Sequence, residues 1–144
     1  MWSPDLLGVE RIHLLQLLVW GVASFVVGAG VIVALRVQRA RAPLPLWFAV
    51  VMAVSGAAES LFALVRWSSL AERDYGSALR LTAHVRLAMI GEVWVFAGAT
   101  VLVCVGVVVA KRLEVTGIGV ALVAHGGVLF VLDRLFLSRL TPGA

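Results

Sequence analysis

The amino-acid sequence predicts an all-α polytopic membrane protein, a four-helix up-down bundle, and three observations carry that prediction. Of the 144 residues, 62% are hydrophobic and 14% charged, with a mean hydropathy of +1.05; a soluble domain is about half apolar and about a quarter charged. Four apolar stretches, residues 13–35, 46–66, 84–110 and 115–137, each reach the roughly 20 residues a membrane-spanning helix needs. The net charge of +4, from 12 basic and 8 acidic residues, is placed mostly at the ends of these stretches. Basic residues so placed are topology signals, so no nucleic-acid partner is expected. The composition also excludes an ordinary cytosolic domain and a disordered tail. No internal repeat is visible, and the chain reads as a single integral membrane domain.

The first span, 13–35, has too long an apolar run for a cleaved leader, and Asp5 and Glu10 precede it where basic residues would be expected. Arg36, Arg39 and Arg41, with Pro43 and Pro45 as helix stops, make a basic turn before the second span, 46–66. Gly76-Ser77 reads as a helix stop followed by an N-cap. The second helix would then run on to about residue 74, the third would cover 78–110, and the two would form one long hairpin. Lys111-Arg112 marks the turn into the fourth span, 115–137. Short connections of this kind give an up-down bundle. The two compact basic turns are expected in the cytoplasm, with both termini outside, in a bacterial cytoplasmic membrane. Against this orientation, the 67–82 connection also holds Arg73 and Arg80, although Glu72 and Asp74 accompany them. Trp2, Trp47, Trp67 and Tyr75 fall near helix ends, as an interfacial aromatic belt requires.

Small residues recur at close-packing intervals: Gly21, Ser24 and Gly28 in the first span, Ala97 and Gly98 in the third, Gly117, Ala121 and Ala124 in the fourth. Helices in lipid associate through such faces, because lipid supplies no hydrophobic drive. Packing within one bundle is the simpler use; a homo-oligomer or a larger membrane complex is the other. Cys104 stands alone, so no disulfide framework, CxxC pair or zinc site can be drawn.

Ionisable groups inside spans are costly and usually face a partner or a cavity. Here they form stripes at helical spacing: His13, Gln16, Trp20 and Ser24; Ser55, Glu59, Phe62 and Arg66; His84, Ala88 and Glu92, with Arg86 turned away; His125, Leu129 and Asp133, with Arg134 beside it. Glu59 lies 17 residues before Gly76 and Glu92 lies 16 after it. At about 1.5 Å per residue both carboxylates stand roughly 25 Å from the turn, so in an antiparallel hairpin they can meet. The residue of the fourth span that is level with them stays open: one count gives Asp133 and Arg134, another a position between His125 and Asp133. Most of these groups fall in the half away from the basic turns. The other half, including residues 31–35 and 101–110, is nearly pure Val, Ala and Leu, so the polar site opens to one side.

Two carboxylates in one low-dielectric site repel if both are ionised, so one should carry a proton. Glu59, Glu92, His125 and Asp133 therefore form a candidate pocket for protons, a cation or a small polar ligand. In a purely structural alternative, Arg66, Arg86 and Arg134 balance Glu59, Glu92 and Asp133, since buried charges are commonly paired. His13 and His84 open their helices at similar height, and with His125 they are candidate haem ligands. The arrangement of His13, Trp20 and Gly21 resembles the opening helix of the copper-resistance D and membrane protoporphyrinogen oxidase-like families, over that stretch alone and without a second motif. A quinone-linked disulfide oxidoreductase needs cysteine pairs, and a small multidrug exporter an acidic residue in its first span; residues 14–35 hold none. No phosphate loop, HExxH or GxSxG is present. The expectation is a small binding or transport protein with a pocket open to the non-cytoplasmic side. The alternatives are a haem- or quinone-binding redox subunit and a non-catalytic subunit of a larger complex.

Overall fold

A computed structural model describes residues 5–70 and 75–140, and these are helical apart from short turns, with no strand among them. The helices are α1 (Asp5–Val37), α2 (Pro43–Ser68), α3 (Tyr75–Cys104), continued by a π-helical turn (Val105–Val109), and α4 (Leu113–Leu140). All four are long and apolar enough to cross a membrane. At about 1.5 Å per residue the 33 residues of α1 extend roughly 50 Å, more than a hydrocarbon core, so its ends reach past it or it tilts.

The two basic turns share a backbone feature. Arg39 (φ 51°) and Lys111 (φ 48°) both take the left-handed conformation that ends a helix. After α1, the Ala40 N–H donates to Leu35 O (3.1 Å) and the Arg39 N–H to Arg36 O (3.2 Å), the paired bonds of a Schellman ending. Glycine is the usual occupant of that position; a cationic residue there instead places its charge beside the negative end of the helix dipole. Pro43 and Pro45 turn out to open α2 instead of delaying it to residue 46. Within the first turn of a helix the N–H that proline lacks would have no intrahelical acceptor.

The α2–α3 connection differs from the expected hairpin. α2 ends at Ser68, where the Ser69 N–H bonds back to Arg66 O (3.2 Å), and Gly76 and Ser77 lie inside the first turn of α3. Residues 71–74, the proposed extension, fall outside the described residues, as do Trp2 and the last four positions. Among the described residues α3 packs on α4, and its backbone does not come close to that of α2. α1 pairs with α2, and α4 touches all three other helices.

The tightest approach is between α1 and α2. A Cβ on Gly56 would lie 2.5 Å from Gly21 O and 2.9 Å from the Ser24 side chain, so these two backbones meet with no room for a larger residue. Gly28 and Gly117 serve in the same way against α2. Ala121 is fully buried, whereas Ala124 is exposed and Gly98 faces open space. Large apolar side chains such as Val33, Leu61, Leu87 and Trp94 point outward, as a lipid-facing surface requires. Trp47 and Trp67, near the start and end of α2, are likewise exposed.

Candidate functional site

Polar side chains enter the bundle from the end where α1 and α3 begin and α2 and α4 finish, and they descend in steps. The outermost step is Arg66 of α2 against Glu10 of α1, Nη2 to Oε1 at 3.6 Å, with the Glu10 side chain almost wholly buried. Next is His13 of α1 against Asp133 of α4, Nε2 to Oδ1 at 3.3 Å, with the imidazole stacked on Phe136 (centroids 4.3 Å apart). Deeper still, Trp20 of α1 and His125 of α4 meet with ring centroids 5.9 Å apart, near Ser24 one turn further along α1. Three buried polar atoms at this depth have no hydrogen-bond partner: Trp20 Nε1, Ser24 Oγ and His125 Nδ1.

Glu59 and Glu92 occupy the level between these last two steps, and α4 serves as the ruler. Gly119 of α4 lies against Ala99 and Val103 of α3, so Glu92, seven to eleven residues further along, stands level with residues 126–130. Gly117 lies against Leu44 and Phe48 of α2, so Glu59, eleven to fifteen residues further, stands level with residues 128–132. Both therefore fall between His125 and Asp133. The equal depth read from sequence is reproduced, but through α4 and not through a packed α2–α3 hairpin.

The two carboxylates share one cavity of about 700 Å³, to which all four helices contribute. Its acidic lining is Glu10, Glu59, Glu92 and Asp133, its guanidiniums are Arg66 and Arg80, and its imidazoles are His13 and His84. Glu10 and Asp133 have the partners described above. Neither Glu59 nor Glu92 has an ion-pair partner among the described residues, and Glu92 Oε2 is buried without a hydrogen bond. His13 Nδ1 is also buried and unpartnered. His84 donates its Nδ1–H to Arg80 O at 2.7 Å, which leaves Nε2 as the ring nitrogen open to other partners. Phe62, Leu129 and Ala88 supply apolar wall between the charges.

Of the candidate ligand-binding residues, Glu59, Glu92 and Asp133 thus converge on the cavity, while His125 sits outside its lining, against Trp20. Of the candidate haem ligands, His13 and His84 line the cavity and His125 does not. Of the charge-balancing arginines, Arg66 reaches inward to Glu10, whereas Arg86 and Arg134 are exposed on the outer surface. The partner of Asp133 is His13, not the neighbouring Arg134, because successive residues on a helix point about 100° apart. No group of three or more metal-ligating side chains forms among the described residues.

Among the lining residues that escaped the sequence reading are Glu10, Arg80 and Phe136. Glu10 precedes His13 by three residues, on the same stripe, and extending that stripe one turn outward would have found it. Arg80 precedes His84 by four and would have followed in the same way. Phe136 carries no polar signal.

Comparison with family models, with curated proteins and with solved structures finds no match to this chain.

Proposed function

We propose that this protein is a small membrane-embedded binding protein whose cavity exchanges protons or holds a cationic ligand on Glu59 and Glu92. The observation that carries the reading is a charge imbalance. Four carboxylates and two guanidiniums line one cavity, and Glu59 and Glu92 are the two carboxylates without an ion-pair partner among the described residues. A site of low dielectric with surplus negative charge is stabilised by protons or by a cation. The volume is that of a small-molecule pocket.

The reading takes the cavity end as non-cytoplasmic, in the cytoplasmic membrane of a bacterium. Support comes from the opposite end, where Arg36, Arg39, Arg41, Lys111 and Arg112 face only Glu114, five bases against one acid. That end accounts for the whole net charge of +4, and compact basic loops are retained in the cytoplasm. Transport is the weaker branch, because the interior beyond Ser24 offers no polar path to the basic turns.

The test is binding of tetraethylammonium to the protein in lipid nanodiscs, with proton release recorded in parallel. Glu59→Gln and Glu92→Gln should each abolish both signals in protein that remains folded. Wild-type binding and proton release in either variant would sink the proposal.

A redox reading is favoured by one observation. His13 and His84 line the same cavity, and the Nδ1–H of His84 is anchored on a carbonyl, as in metal-ligating histidines. An absorbance spectrum of the purified protein decides it. A Soret band that shifts on dithionite reduction and is lost in His84→Ala would put haem ahead of the cation.

A further inference from the structure

We infer that the cavity is entered sideways from the bilayer, between α2 and α3, by a cationic amphiphile. Its amine head would meet Glu59 and Glu92, and its single apolar chain would lie along α3. This rests on the cation reading above and adds the ligand class and the route.

The route follows from the packing. α2 and α3 supply opposite walls of the cavity, through Glu59 and Phe62 on one side and His84, Ala88 and Glu92 on the other, yet among the described residues their backbones are not packed against each other. Backbones that stay apart leave only side chains to fill the space between them, and in a membrane that space borders lipid.

The chain site follows from the pattern on α3. His84, Ala88, Gly91, Val95, Gly98 and Leu102 succeed one another at alternating steps of four and three, which is a single stripe along the helix. The stripe begins in the cavity with His84 and Ala88 and continues toward the basic turns. It is open among the described residues: a Cβ on Gly91 or Gly98 would have no atom within 4 Å, and Val95 and Leu102 are 48% and 38% exposed. From Glu92 to Leu102 it offers about 15 Å of shallow, apolar surface, its two glycines making room for a chain.

The head chemistry follows from charge. An apolar chain gains no hydrophobic energy by moving from lipid to a lipid-facing stripe, so discrimination must come from the head. Glu59 and Glu92, with the buried and unpartnered Oε2 of Glu92 among their oxygens, repel an anionic head and attract an ammonium that donates hydrogen bonds.

The experiment uses the full chain in nanodiscs and two photoaffinity probes: a short alkylamine carrying a diazirine, and a dodecylamine with the diazirine at its chain end. Labelled positions are mapped by peptide mass spectrometry. The dodecylamine probe should label α3 between Gly91 and Leu102, and unlabelled dodecylamine should protect while dodecyl sulfate does not. Gly98→Phe, and separately Gly91→Leu, should suppress that labelling several-fold and leave the short probe's labelling of cavity residues unchanged. Chain-end labelling spread evenly over the lipid-facing helices, or unaltered in both glycine variants, would overturn the lateral groove while the cation pocket stands. Failure of the short probe to label the cavity, or equal labelling of Glu59→Gln and Glu92→Gln protein, would overturn the pocket and the groove together.

Discussion

His13 is the residue on which the site's electrostatics turn. Its imidazole meets Asp133 at 3.3 Å, and both side chains are close to nine-tenths buried. Removing one member of such a pair strands the other in a medium that cannot solvate it, whereas replacing both with apolar groups removes the demand altogether. His13→Ala should therefore destabilise the protein by about 3 kcal/mol. His13→Leu combined with Asp133→Leu should recover most of that loss in reversible unfolding from mixed micelles. A double variant no more stable than His13→Ala would show that the pair's value lies in its packing on Phe136 and not in its charge. Much of this site was legible residue by residue. The stripes on all four helices were read from spacing, and three of the four candidate ligand residues reach one cavity. What spacing could not give was partner choice. Whether Asp133 meets an arginine beside it or a histidine on another helix depends on how the helices rotate about their axes, and that rotation is set by small-residue contacts at the far end of the bundle. For the same reason His125, on the Asp133 stripe, meets Trp20 instead of the cavity.

At the scale of the helix, contact between elements is governed by where a side chain is absent. Gly21 and Gly56 bring α1 and α2 together so closely that a methyl on Gly56 would press on backbone atoms of α1, which cannot swing aside as a side chain can. Gly126 is buried too, but a methyl there would meet nothing within 4 Å. Gly56→Ala should cost about 2 kcal/mol or more through overpacking. Gly126→Ala should be neutral or up to about 1 kcal/mol stabilising, because alanine is the better helix former. Equal losses in the two variants, measured by steric trapping or denaturant titration in the same bicelles, would contradict this account of the α1–α2 contact. The number, type and order of the helices were legible because a membrane span is a long, local, compositional signal. The neighbours of α3 were not. A short connection after α2 suggested adjacency, but packing in lipid follows small-residue faces, and Gly119 of α4, against Ala99 and Val103, draws α3 away from α2. The cavity exists because of that displacement.

Taken whole, the molecule is two unlike halves stacked along the membrane normal. Between Ser24 and His125 and the basic turns the buried groups are glycine, alanine and methionine, apart from Thr116, whose hydroxyl donates to Arg112 O at 3.2 Å. The other half holds the ion pairs, the cavity and the unpartnered histidine nitrogens. Charge divides in the same way: the basic turns hold five bases and one acid, and the remaining seven bases and seven acids of the sequence cancel. A bundle so divided has a preferred direction of insertion, because translocating the basic turns is opposed while the balanced end carries no net charge. Alkaline phosphatase fused after the last residue should accordingly be active, and green fluorescent protein at the same position dark. Replacing Arg36, Arg39, Arg41, Lys111 and Arg112 with glutamine should produce a mixed population, with part of the molecules inverted. If the five substitutions leave the reporters unchanged, orientation is set elsewhere, and the arginines of the 67–82 connection become the residues to neutralise next. If the wild-type reporters are reversed, the cavity faces the cytoplasm, and the amphiphile it takes is one drawn from the inner leaflet.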